Sequence, residues 1–188
     1  MPFKAKDQQG NIVLATDFKS VLEIRKNFPK GSLFCPFCQT LMFPRKRQNT
    51  SLHFVHTHPC TTVMEHHPES PEHLQGKLEI SKYFQEVYKG MIDAQEAFIE
   101  IEHPISEAGK NGRIADVAVV FSTGYRIIGE CQLAKIEAAD IYQRTQDYYS
   151  ISADVLWFLG GAADTPENRQ AAVDLDVFAG TINFTYST

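Results

Sequence analysis

No apolar run in the sequence approaches the roughly 18 residues that cross a bilayer. The first ten residues, MPFKAKDQQG, hold no apolar signal core, so the expected compartment is the cytoplasm. Cysteine is scarce, with four in 188 residues, two of them spaced as Cys-x2-Cys. So few thiols argue against a disulfide framework and suit a reducing compartment with one metal site. Internal repeats, low-complexity tracts and long linkers are absent, which argues against solenoid and tethered architectures. What remains is 43% hydrophobic and 22% charged, the balance of one ordinary packed domain with a small added module.

The net charge of −5 hides an asymmetry. Residues 1–68 carry nine Lys and Arg against Asp7, Asp17, Glu23 and Glu65, a balance of +5, which leaves −10 for residues 69–188. The break falls near HHPESPEH, and the expected division is a module at 1–68 and a core at 69–188. Chance clustering on two solvated faces is the alternative.

Residues 3–15 have the pattern of a small hairpin, and 17–28 that of a short amphipathic helix stopped by Pro29. A stronger helix start follows at Ser70-Pro71-Glu72, with a cap, a first-turn proline and a first-turn acid. Leu74, Leu78, Phe84, Val87 and Tyr88 supply its apolar stripe, and Gly90 is the expected stop. Beyond it the pattern gives three strands, a helix at 137–150, the apolar strand DVLWFLGG, a helix opened by Thr165 and Pro166, and a last strand in TINFTYS. That order predicts a mixed α/β sheet with helices on both faces.

Two of these strands, VAVVF and YRIIGECQ, are joined by the loop STG, whose Gly124 suits a three-residue hairpin turn. If Phe121 pairs with Tyr125, Asp116 falls opposite Glu130, with Gln132 on the same face. A bulge at Gly124 would shift this register. Two facing acids repel, so removing either one is expected to relieve the metal-free protein. A hard divalent cation relieves the same repulsion and leaves waters free for a phosphate. The alternative is a pair of ordinary strand acids satisfied by a nearby base such as Arg113.

Cys35-x2-Cys38 followed by His53-x2-His56 offers two thiolates and two imidazoles, a donor set suited to structural Zn2+. His58 and Cys60 are spare donors that could replace His56. The run Arg45-Lys46-Arg47 lies between these pairs and is either a phosphate contact or a solvated loop tip. No thioredoxin-like pattern follows the Cys pair, which argues against a redox role.

The spacing of Asp116 fourteen residues before the Glu130-Cys131-Gln132 triplet, after the helix SPEHLQGK, resembles the core of PD-(D/E)XK nucleases. With the preceding CPFC and HFVH, the chain is similar to the competence CoiA-like family over roughly residues 30–160. The resemblance implies a restriction endonuclease-like mixed sheet with an N-terminal zinc knuckle. It implies a Mg2+- or Mn2+-dependent deoxyribonuclease in which Asp116 and Glu130 hold the metal, with Glu72 completing the acidic site and Glu69 its rival. His73 and Lys77, and Arg144 and Tyr148, are then candidates for contact with the nucleic acid. A solvated helix face for Lys77 and a core position for Tyr148 stay open. Gln132 stands where the superfamily usually has lysine. A glutamine hydrogen-bonds water but brings no charge, so a non-catalytic nucleic-acid-binding protein is the first alternative and an RNA-directed nuclease the second.

Overall fold

The computed structural model describes residues 2–48, 50–59 and 70–182. It forms two compact units, Met1–Gln75 and Gly76–Thr188. In the first, β1 (Lys4–Lys6) and β2 (Ile12–Leu14) make the expected hairpin. Its turn is tied by Asp7, whose carboxylate accepts the backbone N–H of Gln9 and of Asn11 at 2.9 and 2.8 Å, the bonding that makes aspartate a turn former. Next comes α1 (Val21–Asn27), with the Ser20 hydroxyl accepting the Glu23 N–H as its cap. It is shorter than 17–28 because Ala15–Asp17 forms a separate 3-10 turn. A second hairpin pairs β3 (Met42–Arg45) with β4 (His53–His56). Phe3, Ile24, Leu33, Met42 and Phe54 are buried in this unit.

α2 (Pro71–Val87) opens as the sequence predicts, with Ser70 Oγ accepting the His73 N–H at 3.2 Å. The two units divide inside this helix, and residues 60–69, which include the expected boundary, lie outside the described residues. Gly90 is not the stop. The helix breaks at Tyr88, where φ is −102° and ψ 14°, and α3 (Lys89–Asp93) runs through Gly90. The chain turns instead at left-handed Gln95.

The second unit then builds β5 (Ala97–Ile105), β6 (Arg113–Phe121), β7 (Arg126–Gln132), α4 (Ala138–Tyr149), β8 (Ala153–Leu159), α5 (Pro166–Asp174) and β9 (Phe178–Thr181). They form one sheet in the order β5-β6-β7-β8-β9, antiparallel as far as β7 and parallel beyond it. This is the predicted mixed sheet. Thr165 caps α5 and Pro166 takes its first position, as expected. The last strand begins earlier than TINFTYS, at Phe178, and residues 183–188 lie outside the described residues.

Each face of the sheet carries a helix. Ile80 and Phe84 of α2 pack with Val117, Val119 and Cys131. Ile141 and Tyr148 of α4 pack with Ala118, Ile128, Val155 and Trp157. The first contact is close because of Gly129, where an added Cβ would come within 2.7 Å of Ile80 and 2.9 Å of Phe84. Ala115 joins the α4 cluster although Val117, two residues on, joins the α2 cluster. Residues two apart on a regular strand share a face. β6 therefore rotates at Asp116. On the neighbouring strand the ladder pairs Ile101↔Val117 and His103↔Ala115 but skips the rung between them, where Glu102 has φ 55°.

Candidate active site

The β6–β7 hairpin closes as its sequence predicts. Phe121 N–H donates to the Tyr125 carbonyl at 2.9 Å, and Gly124 takes φ 86°. The register runs from Val120↔Arg126 to Val117↔Gly129, and there the ladder stops. Beyond it β7 stays beside β8, with Glu130 opposite Trp157 and Gln132 opposite Leu159. Where β6 and β7 part, the Asp116 carboxylate accepts the Cys131 N–H at 2.9 Å, so a side chain takes over from the strand.

The acids here are buried, with Glu102 2%, Asp116 8% and Glu130 1% exposed. Buried carboxylates need charged or hydrogen-bonding partners. Lys77 of α2 supplies them on one side, 3.4 Å from Asp116 and 3.3 Å from Glu102. On the other side Arg144 and Tyr148 of α4 donate to the two oxygens of Glu130. Arg144 also lies 5.3 Å over the ring of Trp157, whose indole N–H donates to Thr145. Burial first, and then the Glu130 charge, hold the proton on the Tyr148 hydroxyl well above its usual range; Asp116 adds to this and Arg144 opposes it.

This arrangement corrects several expectations. Asp116 and Glu130 do not stand as a bare repelling pair on one face. Rotation of β6 turns them to bases from opposite helix layers. Arg113, the base expected beside them, pairs with Asp147. Lys77 and Tyr148, 2% and 0% exposed, are buried partners of the acids. Gln132 turns its amide onto the Ala134 carbonyl at 2.9 Å. Arg144 remains partly exposed. Glu72 and His73 lie half-buried on the first turn of α2, and Glu69 lies outside the described residues. Sequence reasoning missed Glu102, which sits at an outward position in the alternation of β5. No signal marked it, because a left-handed backbone at glutamate has no sequence signature.

The residues present fit a hard divalent cation. Asp116 and Glu130 offer oxygen donors, the kind a hard cation takes, and a carboxylate has about four lone-pair sites. The softer site is built differently. Cys35, Cys38 and His56 place their donor atoms within 4.8 Å of one another, a sulfur and nitrogen set that suits Zn2+. Among the described residues these three form the group, and His53 is not in it. The reason is geometric. Residues three apart share a face on a helix, but β4 is a strand, where they face opposite ways. His53 is buried, with Nδ1 2.7 Å from the Ser51 carbonyl. Cys60 lies outside the described residues. Without metal, burial foremost pushes the Cys35 thiol up to about 12. Arg45 stacks 5.3 Å from the Phe43 ring, while Lys46 and Arg47 are exposed at the end of β3.

The family model described as competence protein CoiA, nuclease-like domain, matches residues 69–181, more than half of the chain. The chain belongs to the CoiA family. Its nuclease-like domain includes Lys77, Glu102, Asp116, Glu130 and Arg144, whereas the Cys35 group precedes the matched CoiA segment. A solved structure, the crystal structure of a repair endonuclease from Pyrococcus abyssi, is similar at 10% identity and a TM-score of 0.35. The match covers 95% of this chain and 83% of that one. No curated protein matches this CoiA-family chain. Among its described residues, no helix is long and apolar enough to cross a membrane.

Proposed function

We propose that this chain is a Mg2+- or Mn2+-dependent deoxyribonuclease, with a core at 69–188 and a zinc-stiffened module at 1–68 that grips DNA. The observation that carries this reading is the pair of buried carboxylates, Asp116 and Glu130, at the parting of β6 and β7 in a CoiA-family core. When bound there, a divalent cation activates water and polarises a phosphodiester. The chain's own residues do the rest. Asp116 and Glu130 hold the metal. Arg144, partly exposed, exchanges Glu130 for a phosphate oxygen. Gln132 swings from the Ala134 carbonyl to orient water. Arg45, Lys46 and Arg47 meet backbone phosphates, as Lys and Arg do without regard to sequence. Glu72, as a third carboxylate, and His73, as a phosphate or water contact, are assigned on sequence grounds alone.

The test is incubation with labelled linear, circular and single-stranded DNA, and with RNA, with and without Mg2+ or Mn2+. Metal-dependent cleavage of DNA supports the reading, and cleavage of RNA alone redirects it. One observation favours the second reading, a non-catalytic nucleic-acid-binding protein: Gln132 brings no charge, and both acids already have basic partners. Binding without cleavage of any of these substrates selects it.

A further inference from the structure

Lys77 and Glu102 are more than the acidic pair requires. A buried ammonium is costly unless paired, and here it is shared between two carboxylates, Glu102 at 3.3 Å and Asp116 at 3.4 Å. Glu102 holds φ 55°, a strained conformation for a side chain of its kind, at the rung the β5–β6 ladder skips. The strained residue is thus the one that shares Lys77 with Asp116.

The charges make the point sharper. Glu102, Asp116 and Glu130 face Lys77 from α2 and Arg144 from α4, with the Tyr148 hydroxyl alongside. Glu102 thus adds a third carboxylate to the cluster that holds Asp116 and Glu130. Without Glu102 the cluster has one carboxylate fewer to draw a divalent cation. Without Lys77, Asp116 loses a contact that orients one oxygen, while the Cys131 N–H still holds the other.

We propose that Lys77 and Glu102 are positioning residues for Asp116: Lys77 sets the direction of its carboxylate, and Glu102, which shares Lys77, adds the negative charge that favours a divalent cation there. This rests on the nuclease reading above. Both residues act through Asp116, and neither touches nucleic acid.

The test uses the full chain with Glu102→Gln, Lys77→Met and Asp116→Ala. Mn2+ binding is followed by calorimetry without nucleic acid, and cleavage kinetics are measured alongside. Glu102→Gln should weaken Mn2+ binding by about fivefold, because one nearby negative charge is lost while the shape is kept. Lys77→Met should lower kcat by about tenfold or more, with the KM for DNA within about twofold, the pattern of a group that acts at the chemical step alone. A Gln132→Lys change in that background, which brings an ammonium to the residue two along from Glu130, should recover part of the kcat. A merely structural role gives no such recovery. Unchanged Mn2+ affinity in Glu102→Gln overturns the proposal. So does a Lys77→Met variant with intact kcat and raised KM, which makes Lys77 a phosphate contact. Should Lys77→Met fail to fold, the Glu102→Gln calorimetry decides. A wild type that binds Mn2+ through Asp116 yet cleaves nothing sinks the nuclease reading and leaves the Glu102 effect readable. No Mn2+ binding by the wild type overturns both.

Discussion

The Tyr148 hydroxyl donates to one oxygen of Glu130, and both side chains are closed to solvent. A hydrogen bond to a buried charge contributes about 1.5–3 kcal/mol. Tyr148→Phe should therefore cost stability of about that size in denaturant unfolding. The KM for nucleic acid should not move. A raised KM with unchanged stability would place Tyr148 back among the substrate contacts.

Asp116→Ala and Glu130→Ala should each abolish metal-dependent cleavage. Neither should stabilise the metal-free protein, although two facing acids suggest it. Each acid has a base beside it, Lys77 for Asp116 and Arg144 for Glu130. Breaking a buried ion pair costs up to about 3–5 kcal/mol, and Asp116→Ala should fall below that because Lys77 keeps Glu102. Asp116→Asn keeps an acceptor for the Cys131 N–H and should cost less. Thermal melts of the variants beside cleavage assays check both halves.

Elemental analysis should find about one Zn2+ per chain. Cys35→Ser, Cys38→Ser and His56→Ala should each lose it and lower the melting temperature, since structural zinc contributes folding free energy directly. His53→Ala should keep it. Zinc lost from the His53 variant alone would restore the Cys2His2 set drawn from spacing.

Burial, its main cause, holds the His53 imidazole below its ordinary 6.5. The folded chain resists a proton that the unfolded chain accepts. Stability should then be untouched above about pH 6.5 and fall as pH drops through that value toward the lowered folded one. Melting temperatures from about pH 7.5 to pH 5 should show this fall, and His53→Gln should shrink it.

Replacing Arg45, Lys46 and Arg47 together with alanine should weaken DNA binding with little sequence preference. Each phosphate contact adds about −0.9 to the log–log salt slope on duplex DNA, so the slope should flatten by roughly one to three units. Cleavage at saturating DNA should fall much less. Binding across a salt series decides it, and an unchanged slope means the loop does not touch phosphate.

The sheet was legible because its signals are local. Ser70-Pro71, Thr165-Pro166 and the STG loop each fix a boundary by backbone chemistry. The register followed from the three-residue STG loop and the pairing of Phe121 with Tyr125. The site was legible only in part, because alternation assumes a strand that does not rotate. β6 turns at Asp116, so the acids found bases in two helix layers. His53 failed for a kindred reason. A spacing names a shared face only once the element is known, and HFVH is a strand. Glu102 could not be found at all, because its importance lies in a dihedral angle.

Gly129 bears no charge and makes no polar contact through a side chain, yet it governs the electrostatics of this core. Its bare backbone lets Ile80 and Phe84 settle against β7. Lys77 stands one turn before Ile80 on the same helix, so the depth at which that helix rests determines whether its ammonium spans to Asp116. A single methyl group at position 129 would crowd Ile80 and Phe84, and the helix that carries Lys77 or its side chains must give way. The reach of a lysine is here set by the emptiness of a strand.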